Sequence, residues 1–179
     1  MADANAAGRG LVTLVLGGAR SGKSRYAESV IEQEPGPRIY LATAEARDDE
    51  MAARIAEHRV RRDRNWQTIE APHDLAGAMA ALPPRSAVLI DCLTLWLSNR
   101  LLADGDIVRE IASLERALAS HDGAVAVVSN DVGSGIVPDN HLARRFRDLQ
   151  GVLNQRIAAK ASRVVLMVAG LPLTVKETP

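Results

Sequence analysis

The stretch "GGARSGKS", Gly17 to Ser24, decides the fold. It satisfies G-x-x-x-x-G-K-[ST] in full. It follows an apolar run, "LVTLVL" (11–16), and opens a helical pattern, which is the context this phosphate-binding motif requires. Gly17 and Gly22 let the backbone turn tightly. Gly18, Ala19, Arg20 and Ser21 lie between them, so successive N–H groups point inward at phosphate oxygens. The following helix adds the partial positive charge of its N-terminus. Lys23 is placed to reach β- and γ-phosphates, and the Ser24 hydroxyl to ligate Mg²⁺. A glycine turn that matches the pattern by chance lacks the flanking strand and helix. The motif therefore predicts nucleoside triphosphate binding and leaves the substrate open.

Working outward, short apolar runs alternate with longer helical patterns. "RIYLAT" (38–43), "AVLIDC" (87–92), "AVAVVSN" (124–130) and "RVVLMV" (163–168) read as buried strands, and "WQTIEA" (66–71) as a weaker one. Unbroken Val/Ile/Leu strands are expected where a parallel sheet is covered on both faces. Helical patterns cover about 23–33, 48–62 and 74–82. Others lie in "LTLWLSNRLLA" and "IVREIASLERALASH" on either side of Gly105, and over about 140–161. Strand–helix alternation predicts right-handed crossovers and a three-layer αβα sandwich. The fold class is α/β with a mostly parallel sheet, of the P-loop NTPase type. No linker-like composition divides the chain. It reads as a disordered tail over 1–10 and a single domain over 11–179. The terminal "PLTVKETP" carries no clear signal.

Composition narrows the function classes. Lys+Arg and Asp+Glu number 22 each, so the basic excess of a nonspecific nucleic-acid binder is missing. Aromatic residues make up only 3%, which leaves the core to Ala, Val, Leu and Ile. A single cysteine, Cys92, cannot form an internal disulfide, which suits a reducing compartment. The N-terminus lacks a basic start and apolar run, and no apolar run is long enough for a membrane span. The expectation is a soluble cytoplasmic protein.

Asp91 ends the apolar strand "AVLID" and resembles the acid that faces the metal in phosphate-loop proteins. The alternative is a strand-end Asp that caps the helix starting near Thr94. Further along, "ARIAEHRVRRDR" (53–64) sets His58 among Arg54, Arg59, Arg61, Arg62 and Arg64. Helical spacing brings Arg54, Arg61 and Arg62 to roughly its face. Surrounding positive charge favours neutral imidazole, which can attack phosphorus and form a phosphoramidate. A solvated basic helix with an incidental histidine has the same spacing, and periodicity does not separate the two.

A resemblance does separate them. "GGARSGKSRYAE", "YLATAEARDDEMAARIAEHR", "WQTIEAP", "LIDCLTLWLSN" and "VSNDVGSGIVPDNHLARRFRDLQGVLNQRIA" together resemble the bifunctional adenosylcobinamide kinase / adenosylcobinamide-phosphate guanylyltransferase family, over about Leu11 to Leu173. The resemblance implies phosphorylation of adenosylcobinamide by ATP or GTP. It then implies GMP transfer from GTP to adenosylcobinamide phosphate through a covalent histidine, here His58. It also implies nucleotide contacts at Ala42, Thr43, Ala44, Arg59, Arg61 and Arg62, with Lys23 and His58 catalytic and Ser24 and Asp91 on Mg²⁺. Glu70 becomes a guanine or ribose contact, since an acid suits the two donors of guanine. A solvated strand-end acid is the other reading of Glu70. By resemblance the chain assembles as a homo-oligomer, commonly a trimer, with no nucleic-acid or membrane partner. Gly133 and Gly135 mark a loop expected to border the corrinoid or a subunit contact. His73, His121 and His141 read as turn, helix-end and structural residues, and Trp66 and Trp96 as core or interface. A phosphate-loop kinase without the guanylyl step, and a non-enzymatic nucleotide-binding regulator, are the rival readings.

Overall fold

The computed structural model describes residues 10–46, 49, 53, 56 and 64–178. The expected tail therefore lies outside the described residues, as does the 48–62 helix apart from Asp49, Ala53 and Ala56, which are helical. The expected strands form as β1 (Val12–Gly17), β2 (Arg38–Ala42), β3 (Trp66–Glu70), β4 (Ala87–Asp91), β5 (Val125–Asn130) and β6 (Arg163–Val168). They pair in parallel, and with β7 (Leu171–Glu177) they make one sheet in the order β3-β2-β4-β5-β1-β6-β7.

Strand alternation sorts the apolar side chains onto two faces. Leu14, Ile39, Leu41, Val88, Ile90, Val125 and Val127 form one buried cluster. Four helices cover that face: α2 (Leu75–Ala80), α3 (Leu93–Leu102), α4 (Ile107–Ser120) and α5 (His141–Lys160). Val15, Tyr40, Leu89, Ala126, Val128 and Val165 form the other, against Ala27 and Ile31 of α1 (Lys23–Glu32). This is the expected three-layer sandwich. In α4 the buried residues Ile107, Ile111, Leu114 and Leu118 recur at helical spacing, so one stripe faces the sheet.

Local chemistry sets the helix ends. Asp74, Asp106 and Asn140 accept from the backbone N–H of Gly77, Arg109 and Ala143 and so cap α2, α4 and α5. Prolines follow α1 at Pro35 and α2 at Pro83, where a helix cannot continue. The terminal segment, featureless as sequence, is the antiparallel edge strand β7. Ala169 and Gly170 both have positive φ, 51° and 83°, the geometry of a two-residue hairpin turn. Pro172 is tolerated because β7 is an edge strand. Leu171, Leu173 and Val175 alternate, a strand signal that the short length and the proline obscure. Among the described residues no helix is long and apolar enough to cross a membrane.

Candidate active site at the carboxyl edge of the sheet

Parallel strands bring their carboxyl ends to one edge, and loops there carry ligands. The phosphate loop leaves β1 at this edge. Gly17 has φ 151° and Gly22 has φ 92°, both outside the range that side-chain-bearing residues prefer. A Cβ on Gly17 would stand 2.7 Å from Met167 O and from Ser21 Oγ, so glycine is also required sterically. Arg20 takes the left-handed conformation as well, at φ 54°. Gly22 is the N-cap of α1 and supplies no side-chain cap, which leaves the first helical N–H groups to a ligand. Lys23 is buried, and its Nζ donates to Gly18 O at 2.6 Å, which places the ammonium inside the loop's own ring. Burial lowers its pKa from the ordinary lysine value, and neighbouring Cys92 and Asp91 oppose that shift. Ser24 is half-buried on the first turn of α1.

Three neighbouring strands end on one rung, with Ala42 paired to Glu70 on one side and to Asp91 on the other. Asp91 is not the cap of α3. That position belongs to Cys92, which makes no side-chain cap hydrogen bond. Asp91 Oδ2 instead accepts from Tyr40 Oη at 2.9 Å, a charge-assisted bond worth about 1.5–3 kcal/mol that fixes the carboxylate. Tyr40 is one site-supporting residue that the sequence reading missed. Its signal was its register, one strand repeat before Ala42 on the same face.

Thr43 has no exposed surface. Its Oγ1 donates to Cys92 O and accepts from Cys92 N, both at 2.7 Å, and its N–H donates to Asp91 O at 3.2 Å. Its side chain thus fastens the ends of β2 and β4 together, while Ala44 remains partly open. Glu70 is exposed at the end of β3. The structure brings the phosphate loop, Ala42, Thr43, Ala44, Glu70 and Asp91 to this edge. His58, Arg59, Arg61 and Arg62 lie outside the described residues. The donor set of a serine hydroxyl and a carboxylate is hard oxygen, which suits Mg²⁺. Among the described residues no cluster of three or more His, Cys, Asp and Glu could hold a metal alone, so phosphate oxygens would have to complete such a site.

Cys92 is buried beside Asp91 and Lys23. Burial first, and then the charge of Asp91, push its thiol from 9.0 up to about 12. Between those values the unfolded chain releases a proton that the folded chain keeps, so this group's stabilisation is lost as pH rises above 9.0 toward 12. Cys92→Ala is expected to flatten the alkaline fall in the urea midpoint relative to the native chain. Parallel curves for the two proteins would refute that contribution.

His73 bonds Glu45 at 3.0 Å, His121 ends α4 and reaches Ser86 O at 2.8 Å, and His141 opens α5. Trp66 and Trp96 are buried. The loop with Gly133 and Gly135 follows β5 and is closed by Ser134 Oγ and Gly133 N–H donating to Asp131.

Comparison with known proteins gives one family. Residues 13–175 match the model described as cobinamide kinase / cobinamide phosphate guanyltransferase. The chain is 45% identical over 169 residues to the bifunctional adenosylcobalamin biosynthesis protein CobP of Pseudomonas aeruginosa, covering 93% of this chain and 98% of that one. The bifunctional adenosylcobalamin biosynthesis proteins CobU of Salmonella typhimurium and Escherichia coli are 42% and 40% identical. Each is covered in full by 93% of this chain.

Proposed function

The chain belongs to the cobinamide kinase / cobinamide phosphate guanyltransferase family, and from that premise we propose a two-step transfer at the carboxyl edge of the sheet. First, the hydroxyl oxygen of adenosylcobinamide attacks the γ-phosphorus of ATP or GTP. The bond to the β-phosphate bridge breaks, the nucleoside diphosphate leaves, and the hydroxyl proton is released. Second, a ring nitrogen of His58 attacks the α-phosphorus of GTP and pyrophosphate leaves. A phosphate oxygen of adenosylcobinamide phosphate then attacks the same phosphorus, the P–N bond breaks, and adenosylcobinamide-GDP forms with His58 restored.

The observation that carries this reading is that the phosphate loop leaves β1 just beyond the rung that runs from Glu70 through Ala42 and Asp91 to Val128 and Val15, at the same carboxyl edge. Lys23 and the loop N–H groups hold phosphates and orient them for attack. Ala42 and Ala44 form a wall of the nucleotide pocket with buried Thr43 fastened behind it, and Glu70 accepts from guanine or ribose. Arg59, Arg61 and Arg62 neutralise phosphate charge near His58. Ser24 and Asp91 would hold Mg²⁺, which when bound neutralises charge on the β- and γ-oxygens. One domain over 11–179 carries both activities in the cytoplasm. A homo-oligomer, a trimer by resemblance, is supported by exposed Val108 and Val152 lining a groove of about 650 Å³ between α4 and α5, and by exposed Leu102 and Leu142 lining a second of about 300 Å³ between α3 and α5.

Purified protein with Mg²⁺, ATP and adenosylcobinamide is expected to yield adenosylcobinamide phosphate, and added GTP to convert it to adenosylcobinamide-GDP with release of pyrophosphate. Mass spectrometry of the corrinoid decides this. Phosphate product with no GDP-linked product would reduce the protein to a kinase, and no corrinoid product would remove both steps.

A further inference from the structure

Strand β5 lies between β4 and β1 in the sheet. It therefore ends between the carboxylate of Asp91 and the start of the phosphate loop. Asp91 pairs with Val128, whereas Gly17 pairs with Asn130. Asn130 thus stands one strand repeat, about 6–7 Å, beyond the level of Asp91 and flush with the first residue of the loop. Side chains alternate along a strand. Val128 packs in the cluster against α1, and Ser129 turns the other way, bonded to Gln150 and Asn154 of α5. Asn130 accordingly faces the α1 side. Asp91 faces it too, since its carboxylate meets Tyr40 of that same cluster. Lys23 opens α1 on this side, with Asp91 as a charged neighbour.

The backbone of Asn130 is clamped on both edges. Strand β4 ends its pairing at Asp91, and beyond it the Asn130 N–H donates to Thr94 Oγ1 of α3 at 2.9 Å. The Asn130 carbonyl accepts from Asn154 Nδ2 at 3.0 Å. That amide is itself oriented, because Asn154 Oδ1 accepts from Ser129 Oγ at 2.7 Å and from Gln150 Nε2 at 3.0 Å. The next N–H, of Asp131, donates to Gly17 O at 3.1 Å. The side-chain amide of Asn130, by contrast, is half-buried and has no hydrogen-bond partner among the described residues. A rigid backbone that presents an unspent donor is what a preorganised phosphate contact requires. Asparagine suits the place because it brings two N–H donors and no charge to pair off with Asp91.

We propose that Asn130 is a catalytic residue of phosphoryl transfer, whose Nδ2–H donates to an oxygen of the γ-phosphate held between Lys23 and Asp91. This rests on the reading of the phosphate loop as the nucleotide site of that step. The contact persists as the phosphoryl group passes to the acceptor hydroxyl and charge spreads over its oxygens.

The test measures nucleotide binding apart from turnover. With Mg²⁺, Asn130→Ala is expected to keep the native affinity for ADP, which has no γ-phosphate. Its affinity for the ATP analogue with an imido β–γ bridge is expected to fall about 10-fold, the loss of one hydrogen bond to a charged group. Its kcat for phosphorylation of adenosylcobinamide by γ-labelled ATP is expected to fall about 10²-fold, because a preorganised donor acts most on the charge of the transition state. Asn130→Asp keeps the shape and removes the donor, and is expected to weaken the analogue at least as much as alanine does. ADP and the analogue weakened alike in Asn130→Ala would make Asn130 a support of the loop and overturn the contact. Native analogue affinity in either variant, or native kcat, overturns it as well. A native chain that binds neither nucleotide sinks the phosphate-loop reading and this proposal together. One that binds both and phosphorylates no corrinoid sinks the kinase reading alone, and the contrast between ADP and the analogue in the variants still decides the γ-phosphate contact.

Discussion

Replacing His58 by alanine is expected to abolish the covalent GMP adduct while leaving adenosylcobinamide phosphorylation intact. Guanylyl transfer through the enzyme needs a nucleophile that is neutral at working pH, and the helical spacing expected of this segment would set Arg54, Arg61 and Arg62 near His58, where their charge disfavours imidazolium. No other histidine in that segment can substitute. Loss of a covalent nucleophile lowers turnover by roughly 10⁴-fold or more, so guanylyl transfer falls below detection. The measurement is incubation with Mg²⁺ and GTP labelled at the α-phosphate, denaturation, and counting of label on the chain. A phosphoramidate is acid-labile and base-stable, which separates it from an ester. Label that persists in His58→Ala would move the nucleophile elsewhere, and a variant that also loses kinase activity would make His58 part of the shared pocket instead.

Lys23→Ala is expected to lower both activities together, in contrast to His58→Ala. Lys23 lies within the phosphate loop with its ammonium 2.6 Å from Gly18 O and most of its surface removed from water. A charge already desolvated and already oriented acts strongly on developing phosphate charge, because it needs no reorganisation during the reaction. Removal of one such preorganised donor costs about 10²–10³-fold in kcat. The loss is expected in γ-phosphate transfer, where on the proposed reading Lys23 faces the migrating group. It is expected also in GMP transfer, where on the same reading the departing pyrophosphate would occupy that loop. Because burial disfavours this ammonium, its removal is expected not to lower the thermal midpoint. Kinase loss with undiminished labelling would mean that GTP guanylylates the protein from a second nucleotide position away from the phosphate loop.

Much of this molecule is written in short stretches of chain. The phosphate loop, the apolar strands and the capped helices each depend on neighbours within a few residues. Periodicity and turn chemistry therefore placed β1 to β6, α1 and the four helices of the opposite face. The edge strand β7 escaped because its alternation is brief and carries Pro172. What only the tertiary structure decided joins residues far apart in sequence. Thr43 meets Cys92 across 49 positions and Asn99 meets Thr43 across 56. Nothing in the sequence around Asp91 chose between a helix cap and a site carboxylate. Tyr40, brought over by the pairing of β2 with β4, gives that carboxylate a partner outside the helix cap. Thr43 read as a nucleotide contact, and packing turned its hydroxyl inward onto Cys92. Local preferences act over a turn or a strand repeat, whereas strand order and side-chain burial emerge only when the whole sheet closes against its helices. Hence the chemistry of the phosphate loop was legible in eight residues, and the scaffold that aims the rest of the site was not.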